Sequence, residues 1–508
     1  MRAPRPAPLA FPAESVSLPP SSYIHALWRR YSMPRDALYL TSNMRNARKT
    51  SRGEMEWLLF LSRRRDIRSQ YTHPGGQKYL APYHLDGCEE GADGRVTTAY
   101  EFLGCLFHGH CVVRHDCPLS EALKSHHPSP FGEPMFAVYR KWQDKAAALK
   151  RRGVKVVAVW ECEWAARVAA EGSEEGAFVE SLRASGRPKE RLTLRDALRG
   201  GRTEAFHLLY RETPQQVEED GRQLLYIDVC SLYPHVAIER EFPAGEPRTI
   251  IGAQLDHYDV GPRGVRRKDG SGPWLHGLIQ CTVSPPDALF YPILPTYCRG
   301  KLMYGLCALC LEAGADHFCT HAGTDRHLTD TWTIIEVAEA LRCGYELVAV
   351  HEILAYERTE RLFRDFYLPL ARLKLEAEGW PREDMSPEEK EARVRDINDH
   401  MPGLDLSRER VRKNPAKRAF AKLASNAALG KLSQNDNKPT SRFVRSWSEV
   451  HQLINHHRYR LKRLEPVDQD MCEVVYETRE DRVGYHKGTQ VSATRERETV
   501  ASSSDPRR

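Results

Sequence analysis

No uncharged apolar run in this chain approaches the roughly 20 residues that a membrane-spanning helix requires. The opening Met1-Arg-Ala-Pro-Arg-Pro-Ala-Pro8 also lacks the apolar core of a secretory signal. Both absences argue against a membrane partner or secretion, and favour an intracellular address, nuclear or cytoplasmic. A strong surplus of one charge is missing too, since 75 Lys and Arg stand against 69 Asp and Glu, a net +6 over 508 residues. Any contact with nucleic acid must therefore come from local basic segments rather than from a global field. No internal repeat is visible, which argues against a solenoid. With 41% hydrophobic and 28% charged residues, the composition is that of an ordinary globular protein with ample core. What stands out are 13 cysteines, an odd number, several of them beside histidines. Without a signal segment, metal ligation explains that usage better than disulfides do.

Residues 1–35, rich in Pro, Ala and Ser at their start, are expected to form a flexible leader, and residues 491–508 a disordered tail. A first block covers 36–170. Near its end a helical pattern, Met135 to Arg152, stops at Gly153 and is followed by the β-rich Val154-Lys-Val-Val-Ala-Val-Trp160. A polar linker is expected over 171–194. The second block, 195–490, opens on Arg195-Asp-Ala-Leu-Arg-Gly200-Gly201-Arg202-Thr203.

Three tracts in the second block carry chemistry. In Leu224-Leu-Tyr-Ile-Asp228-Val229-Cys-Ser231-Leu232-Tyr233-Pro234 an acid ends an apolar strand and a turn follows, an arrangement that suits metal-dependent nucleotidyl transfer. In Asn414-Pro415-Ala-Lys417-Arg418-Ala-Phe-Ala-Lys422-Leu-Ala-Ser-Asn426-Ala-Ala-Leu-Gly430-Lys431, Asn414 is a good N-cap and Pro415 a good first helical residue. Arg418, Lys422 and Asn426 then fall on one helical face, either a triphosphate cradle or a solvated basic face. Finally, Cys307-Ala-Leu-Cys310 precedes Cys319-Thr-His321, a set that suits structural Zn²⁺, the alternative being four reduced residues in a loop.

The Asp228 tract paired with the Asn414 helix resembles family B DNA polymerases. In detail it looks like the protein-primed branch of large self-synthesising DNA transposons (Maverick/Polinton-like) and related viruses. Further matches in order are Arg195 to Thr203, Phe242-Pro-Ala-Gly-Glu-Pro247, Gly277 to Pro286, Thr331 to Val337, Gly344-Tyr-Glu-Leu347 and Leu373 to Gly379. The resemblance implies a DNA-directed DNA polymerase acting on a DNA primer-template and dNTPs, with two Mg²⁺ ions and a possible terminal priming protein. It places Asp228 and the Val229 carbonyl at the ions, and Ser231, Leu232, Tyr233, Arg418, Lys422 and Asn426 at the nucleotide. Tyr233 would lie under the sugar, and Lys422 would reach the triphosphate as a flexible point charge. Gly200, Gly201, Arg202, Gly430 and Lys431 would meet the template; alone, the double glycine would read as a plain turn. The chain departs from the family in having Asn426-Ala-Ala-Leu-Gly430 where a hydroxyl and an aromatic ring are common. It also lacks a Tyr-x-Asp-Thr-Asp tract in 431–508, where Val467-Asp-Gln-Asp-Met471 reads as an acidic turn. No proofreading Asp-x-Glu is found either. The expectation is a truncated copy.

The first block contains His84-Leu-Asp86-Gly87, then Thr98-Ala-Tyr-Glu101-Phe-Leu-Gly104-Cys105-Leu-Phe107-His108-Gly-His110-Cys111, and finally Val157-Ala-Val-Trp160-Glu-Cys162-Glu163. An Asp before one strand and a Glu on the next could share a divalent ion, with a histidine as acid or base, although singly such acids are surface groups. Together these tracts resemble the very-short-patch mismatch-repair endonucleases over residues 50–165. The likeness implies a restriction-endonuclease-like α/β domain with Asp86 as metal ligand, His108 as base, and Cys105, His110 and Cys162 at a zinc. Phe107 replaces the usual Trp, and Val112 occupies the place expected of a fourth zinc ligand. The fold expected overall is α/β plus α+β, an endonuclease-like domain followed by a partial polymerase palm with helical fingers. Three functions stay open: the polymerase, a catalytically inactive mobile-element-derived DNA-binding protein, and a metal-dependent DNA endonuclease.

Overall fold

The structure, a computed structural model, describes residues 51–110, 134–188, 190–194, 196–205, 207–211, 224–229, 231–315, 318–433, 439–456, 459–468 and 471–478, with Trp28, Ser32, Cys117 and Thr213 singly. For residues 428–433 only the backbone is described. Helices and sheets are mixed, and the chain divides into two compact units, one made of Tyr39–Thr203 with Glu246–Arg358, the other of Met1–Leu38, Glu204–Gly245 and Thr359–Arg508.

The first of these units opens with a four-stranded sheet in the order Arg68–Ser69, Gly87–Glu90, Val96–Leu103, Lys155–Trp160, antiparallel except for its last, parallel pair. The parallel pair is bridged through the helix Met135–Arg151, as a crossover connection requires. Side chains alternate across the Val96–Leu103 strand. Tyr100 and Phe102 enter a core with Trp57, Val159, Trp164 and Val179, where the helices Arg52–Ser62, Glu161–Ala169 and Glu174–Ala184 pack. Ala99 turns the other way, into a cluster with Leu85 and Leu149 of Met135–Arg151. Glu101, two residues on, shares that face, where a lysine of the same helix reaches it.

The same unit contains an antiparallel sheet in the order Leu328–Thr333, His276–Ser284, Glu346–Tyr356, Arg248–Ile251. Its core gathers Ile250, Ile279, Cys281, Val283, Leu328, Trp332 and Ile353 beneath the helix Ile334–Arg342. That helix starts where Thr333 and Glu336 exchange the two hydrogen bonds of a capping box. A buried ion pair ties this sheet to the segment before it. Arg191 donates Nε and Nη2 to the two Glu352 carboxylate oxygens at 2.7 and 2.8 Å, and Nη1 to the Gln70 carbonyl at 2.7 Å. The Leu192 N–H adds a third bond to Glu352 at 3.1 Å. The expected linker is therefore largely structured: Glu174–Ala184 is a helix capped by Ser173, and Leu192 packs with Leu278 and Leu354. Its polar composition reflects one solvated helix face, whose buried contribution is mainly Val179.

In the other unit the helices Leu232–Glu239, Arg364–Glu378 and Pro415–Ser433 pack together. Trp28 is buried among them, 1% exposed, stacked on Phe363 at 5.1 Å with its indole N–H donated to the Leu362 carbonyl at 3.4 Å. The expected leader, 1–35, thus contains a core residue, which composition could not reveal because a single aromatic is too few to set a periodic pattern. Its remaining residues apart from Ser32, and the whole expected tail, lie outside the described residues. A three-stranded sheet in the order Thr440–Val444, Met471–Thr478, Tyr459–Asp468 completes the unit. Asp468 and Met471, both within the tract 467–471 expected as an acidic turn, pair at the end of the sheet's hairpin.

Candidate active sites and metal centres

The expected strand before Asp228 is not a strand. Residues 224–229 make no β pairing, and their apolar side chains face solvent, Tyr226 being 95% exposed. A strand exists only through its ladder, and none of the described strands lies beside this segment. The turn expected at Ser231-Leu232-Tyr233-Pro234 is instead the start of the helix Leu232–Glu239. Ser231 initiates it from the left-handed region at φ 56°, uncommon for a residue with a side chain. Lys374 Nζ donates to Ser231 Oγ at 2.5 Å, placing a cation on the residue three positions after Asp228. Val229, Leu232 and Tyr233 are exposed.

The helix expected from Asn414 forms, over Pro415–Ser433. Asn414 Oδ1 accepts the Lys417 N–H at 3.0 Å, and Pro415 is the first helical residue. Ala421, Ala424 and Ser425 are buried, and Tyr367 Oη donates to the Ser425 carbonyl at 3.0 Å, seating this face on the helix Arg364–Glu378. Arg418, Lys422 and Asn426 consequently face outward together. Arg418 is engaged by Glu378, Nη2 to Oε1 being 3.0 Å. Gly430 and Lys431 continue the helix, and their side chains lie outside the described residues.

Gly200, Gly201 and Arg202 belong to the other unit. Arg199 is bonded to the Pro295 carbonyl and Asp330, and Arg202 to the Pro292 carbonyl, with its guanidinium 4.3 Å from the Tyr304 ring centroid. The two glycines between them have no atom within 4 Å of where a Cβ would stand. Among the described residues nothing demands glycine there.

Residues 188–386 match a protein family described as DNA polymerase type B, organellar and viral. The match supports a type B DNA polymerase. It includes the Gly200-Gly201 segment, Asp228 and the cluster at Cys307, whereas the helix Pro415–Ser433 lies beyond it. No curated protein and no solved structure matches the chain.

In the first block, outside the matched span, the structure brings Asp86, Glu101 and His108 together and adds a lysine that sequence reading missed. Lys145 Nζ lies 2.6 Å from Glu101 Oε2 and donates to the His84 carbonyl at 2.8 Å. Asp86 Oδ2 accepts the Phe102 N–H at 2.9 Å, which holds its carboxylate beside the strand that carries Glu101. Glu101 is buried, and its Oε1 meets no hydrogen-bond partner among the described residues. Burial, then the Asp86 charge, push its carboxyl up to about 8 against the opposing pull of Lys145. Burial lowers the His108 pKa, with the backbone bond to Gly104 acting against it, so the ring is neutral at pH 7. Glu161 Oε2 accepts the Cys105 N–H at 3.1 Å and closes the same neighbourhood.

The expected zinc set there is also assembled. His110 Nδ1 lies 3.3 Å from Cys105 Sγ and 3.4 Å from Cys162 Sγ, and the ring stacks on Trp160. Among the described residues Cys117 supplies a fourth donor, the four ligand atoms lying within 4.8 Å of one another; positions 111 and 112 lie outside the described residues. A free thiol six residues beyond the histidine-rich stretch was the available signal. Three thiols and an imidazole converging in this way match the donor set of a tetrahedral Zn²⁺ site. Cys307, Cys310, Cys319 and His321 form a second such cluster. The 11 described cysteines form no disulfide, and no described helix is long and apolar enough to cross a membrane.

Proposed function

We propose that this chain is a DNA-directed DNA polymerase that extends a primer by template-directed nucleotidyl transfer from dNTPs, in the manner of the protein-primed, transposon-borne branch. The observation that carries the reading is the family match across Asp228-x-x-Ser231-Leu-Tyr-Pro234. The outward-facing Arg418, Lys422 and Asn426 stripe supports it from the same unit as Asp228. Asp228 and the Val229 carbonyl would hold Mg²⁺. An exposed carboxylate plus a carbonyl is a sparse donor set, but Mg²⁺ in nucleotide sites is commonly held by one or two carboxylates together with substrate phosphates, so these residues fit an ion that arrives with the nucleotide. When bound, Mg²⁺ neutralises developing charge on the phosphoryl oxygens. Lys422 would contact the triphosphate, Asn426 would shape the nucleotide pocket, Tyr233 would underlie the sugar, and the Gly200-Gly201 segment would let the template backbone approach. Primer extension with Mg²⁺ tests the reading: incorporation abolished by Asp228→Asn is expected. DNA binding without incorporation by the unsubstituted chain would favour the inactive DNA-binding alternative instead.

A second reading, metal-dependent DNA cleavage by the first block, is favoured by the buried Glu101 Oε1 that no described donor satisfies, on a carboxyl whose Oε2 meets Lys145 and whose charge is opposed by Asp86. A divalent ion shared by the two carboxylates would satisfy it, so the residues fit such an ion. Lys145 would hold the Glu101 carboxylate and a phosphate oxygen in place, and neutral His108 would take a proton from water. Duplex DNA cleavage that survives Asp228→Asn but is lost in Asp86→Ala is the expected result; cleavage unaffected by Asp86→Ala would overturn this reading.

A further inference from the structure

The loop from Gly305 to His327 joins the hairpin Pro295–Cys298/Lys301–Tyr304 to the strand Leu328–Thr333. Among its described residues it contains only a short helix, Ala308–Ala313, and one turn of 3-10 helix, Gly323–Arg326. Its apolar anchorage is small: Leu306, Ala308 and Leu311 pack against the sheet core, while Phe318 is 97% exposed. A loop this long with so little core of its own needs another source of order.

That source is visible in the side chains. His321 Nδ1 lies 3.4 Å from Cys307 Sγ, 3.2 Å from Cys310 Sγ and 3.6 Å from Cys319 Sγ. One imidazole nitrogen offers a single proton or a single lone pair, so it cannot satisfy three sulfurs by hydrogen bonding. A common central atom can. With Zn–S of about 2.3 Å and Zn–N of about 2.0–2.1 Å at tetrahedral angles, sulfur and nitrogen stand about 3.5 Å apart, and all three distances fall around that value.

We propose that Cys307, Cys310, Cys319 and His321 form a structural Zn²⁺ site that fixes the Gly305–His327 loop to the sheet. Three thiolates with one imidazole, and no position left open for water, select zinc over harder cations and leave no coordination site for catalysis. Cys307 is buried at the start of the short helix and Cys310 lies one turn on, so the rigid half of the site belongs to the helix. Cys319 and His321 come from the exposed half, which the ion would recruit. The site is independent of the polymerase reading and of the Cys105 cluster.

The test is zinc content of the purified full chain by mass spectrometry, with Co²⁺ substitution to report thiolate ligation. Two zinc equivalents are expected, falling to one in Cys310→Ser/Cys319→Ser, with increased hydrogen exchange confined to residues 305–327. The single Cys162→Ser variant should remove the other equivalent and leave this loop protected. The proposal is overturned if Cys310→Ser/Cys319→Ser retains the full zinc content, or if Cys162→Ser alone empties the protein. Unchanged circular dichroism in the double variant separates loss of the ion from failure to fold.

Discussion

Glu101 provides a quantitative handle on the carboxylate cluster of the first block. Its carboxyl, pushed up to about 8 by burial and by Asp86, remains protonated in the folded chain over a pH range where the unfolded chain has released the proton. The sign follows from linkage. A carboxyl raised on folding contributes stability that is fully present below its unfolded value of 4.5 and is lost as pH rises toward about 8. Between pH 5.5 and 7.5 each pH unit removes at most about 1.4 kcal/mol, so the unsubstituted protein should lose roughly 2–3 kcal/mol relative to Glu101→Gln, which keeps an acceptor for Lys145 but cannot ionise. Urea unfolding of zinc-loaded protein, without added Mg²⁺ or Mn²⁺, can be followed at both pH values by pulse proteolysis, which reads the unfolded population. Comparing the two proteins at each pH cancels every other titrating group that the substitution leaves alone. Asp86→Asn should shrink the difference, because it removes the neighbouring charge. Parallel pH dependence in the two proteins would refute the assignment of a neutral, buried Glu101.

Glu352→Ala would leave Arg191 without its bidentate partner in a largely buried setting. It should destabilise the unit by about 3–5 kcal/mol, measured by urea titration, and a cost below about 1 kcal/mol would mean that the pair is solvated. Trp28→Ala removes a fully buried indole from the Phe363 stack and should cost the other unit about 3–5 kcal/mol, seen as early unfolding of the helix Arg364–Glu378 in hydrogen exchange; unchanged protection there would refute its core role. Lys422→Ala should raise the KM for dNTP about tenfold or more in primer extension while Arg418→Ala, already paired with Glu378, changes it less; equal effects would contradict the assigned roles.

Local signals were legible in the sequence. The Asn414 cap with Pro415, the 135–151 helix that stops before Gly153, and the Cys307-x-x-Cys310 and Cys319-x-His321 pairs depend on residues close in sequence, where spacing itself constrains geometry. Partners fixed by tertiary packing were not legible. Lys145 reaches Glu101 across 44 residues and Arg191 reaches Glu352 across 161, and at such separations no periodicity links the members of a pair. Trp28 was missed for the same reason, being a single residue recruited by a surface 334 residues away.

The Leu224–Asp228 tract shows where composition and structure part. Four apolar residues before an acid encode burial of both strand faces, and such burial is a property of a strand between neighbours rather than of the segment alone. The same residues stand exposed where no described strand pairs with them. Their apolar character is therefore a demand for a ladder, and the position of the Asp228 carboxylate depends on that demand being met. The adjoining elements are already set: Ser231 holds its left-handed turn against Lys374, and the helix Pro415–Ser433 rests on Arg364–Glu378 through Tyr367. A paired Leu224–Asp228 strand would thus bring its carboxylate to helices whose geometry is built without it. If primer extension proceeds, hydrogen exchange at residues 224–228 should slow when primer-template and dNTP are bound; fast exchange in an active complex would show that the carboxylate works from an unpaired segment.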